Sequence, residues 1–415
     1  MNACSVAQSL LWLIILGFAL RLIVAQVFLG GLESEYQGDE SGYVSLASHL
    51  TQGLGFTDNF GRPTSYRAPG LPLLVAIPFS VFGPDIMSIR IFMCFLESLL
   101  PPAFYLLTRS VTGSTHLALI GSMMAMVFPT WIVPSGAVVT DVLAAVLVTL
   151  MAWMLIEGHR RHSLVWVIGS GIVWGAATVT RAGSLVYGAA IILWLSIVMP
   201  DWKRCLASIV AVTIPFALVL APWSFRNTRV HGKFVPLSTQ EGIQLYISNN
   251  SEATGVMATD QPYVDANIRA QRFPNSSEVE RDKLFHAEAV RFIRENPRRF
   301  VELCFIRFGQ LWKLYSAKVP LLNSFAVIVS FGIALPFFLL QIIRCGWRRG
   351  PELLFVLIIL CHTALHMVYG SIVRYRMPIE PLVMVMAITG FYWTLKRFQY
   401  RYRDNTSPLS LNVTS

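Results

Sequence analysis

The chain has 415 residues, of which 54% are hydrophobic and only 13% charged. That charge density is about half that of an ordinary soluble chain, which excludes a soluble globular protein. A net charge of +10 invites a nucleic-acid surface, but the Lys and Arg residues cluster in short connectors between apolar segments. That is the positive-inside pattern of a polytopic membrane protein, and nucleic acid is not an expected partner. The six cysteines are scattered, with Cys94, Cys205, Cys304 and Cys361 in or beside apolar segments, so they form neither a disulfide framework nor a zinc spacing.

Residues 10–30 read as a spanning helix, interrupted only by Arg21 and ended by no clear cleavage site. The stretch from Gly38 to Pro72 follows. It opens with Asp39-Glu40 and closes with Tyr66-Arg67-Ala68-Pro69-Gly70. Between them Tyr43, Leu46, Ala47 and Leu50 fall at i, i+3, i+4 and i+7, which predicts a short amphipathic helix lying at a membrane surface. Asp39 would either cap that helix or serve a site. Residues 70–83 are apolar, short, and carry Pro72 and Pro78, so they predict a re-entrant or interfacial helix.

Further spans are expected at 86–108, 116–133, 138–156, 164–180, 183–199 and 205–222, then at 322–343, 353–371 and 379–395. Arg109, Arg160-Arg161, Lys203-Arg204, Arg344 to Arg349 and Lys396 to Arg403 mark one side as cytoplasmic. The 38–72 stretch, the turns at Asp141 and Arg181, and Arg374-Tyr375-Arg376 then fall outside. From Trp223 to about Phe300 the chain is too long and too polar for a plain connector. Residues 279–294 predict an amphipathic helix ended at Asn296-Pro297, and 300–318, carrying Glu302, Arg307, Lys313 and Lys318, an interfacial one.

The expected organisation is a first helix (1–30), an exterior loop with interfacial helices (31–85), a transmembrane bundle (86–222), an exterior segment (223–318), C-terminal spans (319–396) and a tail (397–415) that reads as disordered from Asp404. The fold class is an all-α polytopic membrane protein of about ten spans with both termini cytoplasmic. A bacterial plasma (inner) membrane is the expected location. Sequons at Asn249 and Asn275 would also permit an endoplasmic-reticulum reading.

Acidic residues concentrate outside, at Glu33, Glu35, Asp39, Glu40, Asp58, Asp141 and the segment after Trp223. Only that side offers carboxylates for proton transfer together with cations for phosphate. Asp141, in Thr140-Asp141, suits a helix cap as well as a site. Arg181, Arg374 and Arg376 break the topology rule; for Arg181 that favours a phosphate contact over interfacial snorkelling, and guanidinium recognition of a phosphate is the natural use of Arg374 and Arg376. His362 and His366 share one face without a third ligand, which favours hydrogen bonding over metal. Trp131, Trp223 and Tyr375 near span ends read as aromatic belt. Ionisable residues within spans are few, mainly Arg90, Glu97, His362 and His366, which argues against an ion path. No Gly-rich phosphate loop, HExxH, GxSxG or Asp-x-Asp pair is present.

Four stretches together resemble the GT-C superfamily of membrane glycosyltransferases, in the bacterial family 39 branch related to protein O-mannosyltransferases and the lipid A aminoarabinose transferase. They are Asp39-Glu40-x-x-Tyr43 with Tyr66-Arg67-Ala68-Pro69-Gly70, then Thr140-Asp141, Thr180-Arg181, and Arg374-Tyr375-Arg376-Met377-Pro378. A fifth, PWSFRNTRVHGKFVPLST from Pro222, is similar to a segment of many members. The resemblance runs from about residue 10 to 395. It implies transfer of a sugar, hexosyl or pentosyl, from a polyprenyl-phosphate carrier to a lipid, glycan or protein acceptor outside the cytoplasmic membrane. It also implies that Asp39, opening the first exterior loop, is the essential carboxylate.

On that reading Asp39 is the general base of an inverting transfer, Glu40 contacts the acceptor, and Asp141 completes the catalytic set. Arg67, Arg181, Arg374 and Arg376, with Tyr43, Tyr66 and Tyr375, would bind substrate. No motif calls for a cofactor, and a divalent ion between Asp39 and Asp141 stays open. A flippase for polyprenyl-linked sugars would need polar groups at mid-membrane and often a repeat, neither of which is found. A non-catalytic scaffold is the other alternative.

Overall fold

A computed structural model describes residues 3–30, 32, 38–257, 272–314, 321–345 and 348–406; Glu33, Glu35 and Lys318 lie outside the described residues. The protein is an all-helical polytopic membrane protein. The helices are α1 (Ala3–Phe28), α2 (Asp39–Thr51), α3 (Gly70–Phe82), α4 (Ile86–Glu97), α5 (Leu100–Thr112), α6 (Thr115–Val127), α7 (Pro129–Ile132), α8 (Asp141–Arg160) and α9 (Leu164–Thr180). They continue with α10 (Tyr187–Val198), α11 (Trp202–His231), α12 (Glu241–Ser248), α13 (Glu278–Glu295), α14 (Pro297–Trp312), α15 (Leu321–Cys345), α16 (Pro351–Tyr369) and α17 (Glu380–Thr406). Short 3₁₀ turns fill Ala182–Val186 and Val373–Arg376.

Among the described residues six helical segments are long and apolar enough to cross a membrane: Val6–Phe28, Ile86–Thr112, Asp141–Arg160, Trp202–His231, Val327–Cys345 and Pro351–Tyr369. Of the other expected spans, 164–180 forms as α9 and 379–395 lies within the longer α17, while two are shortened for local reasons. Phe128 precedes a proline and is extended (φ −65°, ψ 124°), which divides the 116–133 stretch into α6 and α7. The 183–199 stretch spends its first turn as 3₁₀ helix, leaving twelve residues to α10. In the other direction, α11 runs unbroken through Pro215 and Pro222 to His231, where Gly232 ends it, so the polarity change at Trp223 falls inside a helix. The expected helix at 279–294 is α13, opened by a Ser277/Glu280 capping box and ended at Asn296.

Connectors read as one side of the membrane do gather at one end of the bundle. Arg160 donates to the Ser110 carbonyl there, and the Trp194 indole donates to that of Gly350 at 2.9 Å. The main core lies between α5, α6, α8–α11 and α15–α17, with Trp131, Trp194, Phe331 and Phe355 fully buried. A second cluster packs α2 and α3 on α4 and the start of α8, through Ala47, Leu71, Val75, Ile89 and Leu143. A third, with Ile243, Ile247 and Phe285, joins α12 to α13 over Tyr66 and Tyr369. The second cluster seats α2 against the bundle, and the third roofs the opposite end from the basic connectors.

Candidate functional site

At that roofed end, five charged residues from five separate parts of the chain meet. Asp39 is the first residue of α2 and Asp141 the first of α8. Neither caps its helix: Gly38 and Thr140 hold the cap positions without side-chain cap bonds, so the capping reading of both carboxylates is corrected. Arg181 is the extended residue that terminates α9, and Arg374 stands in the 3₁₀ turn between α16 and α17. Arg67 comes from the loop before α3. That loop reaches α9 because Gly70 lies against Thr180, where a Cβ would come within 2.8 Å of the Thr180 backbone.

The contacts form one alternating chain. Arg67 Nη2 lies 3.2 Å from Asp39 Oδ1, and Arg374 Nη2 lies 3.1 Å from Asp39 Oδ2. Arg374 Nε lies 3.3 Å from Asp141 Oδ2, and Arg181 Nη1 2.9 Å from Asp141 Oδ1. Arg181 also donates to Thr140 Oγ1 at 3.2 Å. Aromatic faces line the chain: the Arg67 guanidinium sits 4.3 Å from the Tyr43 ring centroid, and that of Arg181 4.9 Å from Tyr375. Three guanidiniums against two carboxylates leave one positive charge in excess. The carboxylates differ in access, with the Asp39 side chain 43% exposed and that of Asp141 only 2%.

Burial raises the Asp39 pKa, but the charges of Arg67 and Arg374 and their hydrogen bonds outweigh it and hold the carboxyl below its usual range. For Arg374, burial opposes the charge; Asp141, Tyr375 and Asp39 more than offset it and raise its pKa. Burial likewise pushes the Tyr375 phenol up, against the pull of Arg181 and Arg374.

The cluster lines a cavity of about 1170 Å³. Asp39, Tyr43, Arg67, Asp141, Arg181, Arg374 and Tyr375 stand on one wall; Val139, Leu185, Val186 and Leu365 add apolar surface. Glu241, Gln244, Asp282 and His286 come from α12 and α13 opposite. The sequence held only a faint sign of that opposite wall, in the polar face of residues 279–294. His362 and His366 also reach the cavity and are hydrogen-bonded as expected, His362 between the Tyr187 hydroxyl and the Tyr375 carbonyl at 2.8 Å each, His366 to the Gly370 carbonyl. A smaller cavity of about 400 Å³ shares Arg67, Thr239 and Asp282 with the large one and contains Tyr66.

Three of the expected site residues stand elsewhere. Glu40 is 6% exposed and turned into the protein, paired with Arg90 at 3.2 Å. Arg376 is fully buried on Glu380 at 2.8 Å and also donates to the Leu311 and Lys313 carbonyls, so it anchors the turn that presents Arg374. Tyr66 faces the smaller cavity alone. The aromatic-belt reading is corrected for two residues, since Trp131 is buried against Phe104 and Phe128 and Tyr375 lies in the site wall; half-buried Trp223 donates to the Leu237 carbonyl. Arg307, expected on an interfacial face, is 1% exposed and donates to the Met367 and Val368 carbonyls. Asn249 of the first sequon is buried and bonded to the Leu245 and Val368 carbonyls, which leaves no room for a glycan.

The motif after Pro222 proves to be a clamp. Arg226 donates to the Thr64 and Phe56 carbonyls at 2.6 and 2.8 Å, and Asn227 holds Ser65 Oγ and the Val235 and Leu237 carbonyls. It fixes the loop that carries Arg67.

The space between Asp39 and Asp141 does not suit a divalent ion, because the Arg374 guanidinium fills it and each carboxylate already answers two guanidiniums. Among the described residues no group of three His, Cys, Asp or Glu is placed to ligate a metal.

Residues 66–225 match the family model described as dolichyl-phosphate-mannose-protein mannosyltransferase. That range contains Arg67, Asp141 and Arg181. The oligosaccharyltransferase AglB from Archaeoglobus fulgidus, in complex with an inhibitory peptide and a dolichol-phosphate, superposes over 97% of this chain with a TM-score of 0.62 and 15% identity. The chain has the GT-C fold. The A. fulgidus enzyme tethered to an acceptor peptide with an NVT sequon gives 0.60 over 96% of the chain at 13% identity. The chain spans about half the length of those enzymes, covering 52% and 51% of them. ArnT from Cupriavidus metallidurans bound to undecaprenyl phosphate is a looser likeness, at a TM-score of 0.44 and 15% identity over 95% of this chain and 81% of that one. No curated protein sequence matches this chain.

Proposed function

We propose that the protein is a glycosyltransferase that moves a sugar from a polyprenyl-phosphate donor to an acceptor hydroxyl, with inversion, on the exterior face of a bacterial inner membrane. The observation that carries the reading is the exposed carboxylate of Asp39 held between two guanidiniums at the wall of a large cavity. Arg67, Arg181 and Arg374 supply the excess positive charge that a departing phosphate needs. The apolar cavity wall fits the start of a lipid chain. The match to a dolichyl-phosphate-mannose family model over 66–225 supports the donor class.

On this reading the acceptor oxygen attacks the anomeric carbon from the side opposite the phosphate. Its proton passes to Asp39 as the new C–O bond forms. The bond from the anomeric carbon to the phosphate oxygen breaks, and its electron pair stays on the polyprenyl phosphate. Arg67 and Arg374 turn from Asp39 to the donor phosphate as it binds. That exchange releases Asp39 from two opposing charges and raises its basicity when substrate is in place. Asp141 and Tyr375 keep Arg374 and Arg181 aimed.

Purified protein is incubated with a panel of radiolabelled polyprenyl-phosphate sugars and membrane-derived acceptors, and label is followed from the lipid to the acceptor fraction. Acceptor-dependent transfer of one donor, absent in Asp39→Asn, is the expected result. A flippase would bind the donor and leave its sugar–phosphate bond intact.

A further inference from the structure

Glu40 follows Asp39 but points away from the cavity, and its contacts lead toward the second carboxylate of the cluster, Asp141. Its Oε1 accepts from Arg90 Nη1 at 3.2 Å and from the Val138 N–H at 2.7 Å. Arg90, 1% exposed, also donates to the Gly136 carbonyl at 3.1 Å. Seven residues further along the same face, Glu97, fully buried, accepts the Gly136 N–H at 3.2 Å. Two buried ionisable side chains two helix turns apart therefore grip both backbone polar groups of one residue. That residue must be glycine: its φ is +78°, and a Cβ would stand 3.2 to 3.4 Å from Ala25, Cys94 and Leu29.

Val138 lies three residues before Asp141, and Glu40 one after Asp39. The two carboxylates are thus tied, through Glu40 and Arg90, to one rigid block made of α2, α4 and the loop entering α8. Arg374 needs that spacing, since it touches Asp39 and Asp141 at once.

We infer that Glu40 and Arg90 are positioning residues that set the Asp39–Asp141 separation, and that Glu40 takes no part in acceptor chemistry. The inference rests on the transferase reading for its functional consequence; the mechanical link stands by itself. Buried ion pairs broken on one side are damaging, whereas removal of both charges is tolerated far better.

The test compares Glu40→Gln, Arg90→Gln, the double variant and Arg90→Lys in the full-length protein. Hydrogen exchange across residues 38–46 and 133–142 reads the link without any substrate. Each Gln single variant speeds exchange in both segments together by about tenfold or more, and the double variant returns both to within about threefold of the parent. Turnover of the donor found in the panel follows the same order, lowest in the single variants and recovered in the double. A folded double variant as inactive as Asp39→Asn would make Glu40 a chemical participant and overturn the inference. So would an unchanged exchange rate at 133–142 in Glu40→Gln.

If the Gln variants do not fold, Arg90→Lys decides, because it keeps the charge and shortens the reach. It should loosen both segments and lower kcat about tenfold with the acidic limb of the pH profile unmoved. An unchanged kcat, or a shifted limb, would count against the positioning role. A parent protein that turns over no donor removes the transferase reading alone, and hydrogen exchange still decides the clamp.

Discussion

Arg374 reaches Asp39 across 335 positions of chain, Nη2 to Oδ2 at 3.1 Å, while its Nε faces Asp141 at 3.3 Å. A planar fork can serve two carboxylates and a phosphate in succession; a point-like ammonium cannot. Arg374→Lys should therefore weaken binding of undecaprenyl phosphate about tenfold even though the formal charge is kept. Titration of the detergent-solubilised protein with that lipid checks it. Equal affinity would mean that Arg374 serves only the two carboxylates.

Asp39 and Asp141 both belong to the cluster, and their exposures of 43% and 2% give them different duties. Asp39→Asn should lower turnover by about 10²- to 10⁴-fold, the usual worth of a general base, with the thermal midpoint little changed. Asp141→Asn leaves Arg181 and Arg374 short of a buried partner, so it should lower both the midpoint and the affinity for undecaprenyl phosphate. The two variants separate chemistry from support when turnover, lipid binding and melting are measured on the same preparations. Loss of folded protein in Asp39→Asn would reverse the assignment.

Some of the residues that could be read from the chain were legible because they broke a rule. Arg181 and Arg374 stood on the side where cations are disfavoured, and both reached the cavity. What could not be read was direction. Successive residues of an α-helix point about 100° apart, so Glu40 beside Asp39 faces the interior. In the 3₁₀ turn the step is about 120°, and Arg376 two residues after Arg374 is carried into the core. Pairing was equally hidden, because Arg90 meets Glu40 fifty positions away and nothing local marks the partner. The helix over 279–294 was legible because its period and its Asn-Pro stop agreed, and the structure adds a Ser277/Glu280 capping box. Span lengths were not, since hydropathy does not register the turn at Phe128-Pro129 or the 3₁₀ start before Tyr187.

Arg376 gives a direct contrast with Arg374. It and Glu380 are both fully buried, and Glu380 also accepts from Thr130 Oγ1 at 2.5 Å. Arg376→Gln should cost about 3–5 kcal/mol, as the loss of one partner in a buried pair does, and show as a lower thermal midpoint before any lipid is added. A phosphate contact would instead leave the midpoint of the free protein unchanged and lower lipid affinity alone.

Filling of the Asp39–Asp141 gap by Arg374 bears on metal dependence. On the proposed transferase reading, treatment with EDTA followed by desalting should leave the rate within about twofold of the untreated protein, because the guanidiniums would take the place of a divalent Lewis acid at the departing phosphate. A rate that falls on chelation and returns with Mg²⁺ or Mn²⁺ would require Arg374 to leave the gap during turnover.

The pH profile follows from the same contacts. Asp39 is held below the usual carboxylate range by Arg67 and Arg374 against the effect of burial, so its pairing stabilises the fold above the unfolded pKa and that contribution is lost as pH falls through the folded one. The acid limb of kcat/KM reports the free enzyme and should lie below the ordinary carboxylate range. In the donor complex Arg67 and Arg374 face phosphate instead, so the limb of kcat should lie at higher pH than that of kcat/KM. Arg67→Gln removes one opposing charge from the free enzyme and should move the kcat/KM limb upward, narrowing the gap between the two profiles. Coincident limbs in the parent, or a kcat/KM limb that stays in place in Arg67→Gln, would show that Asp39 does not govern the proton transfer.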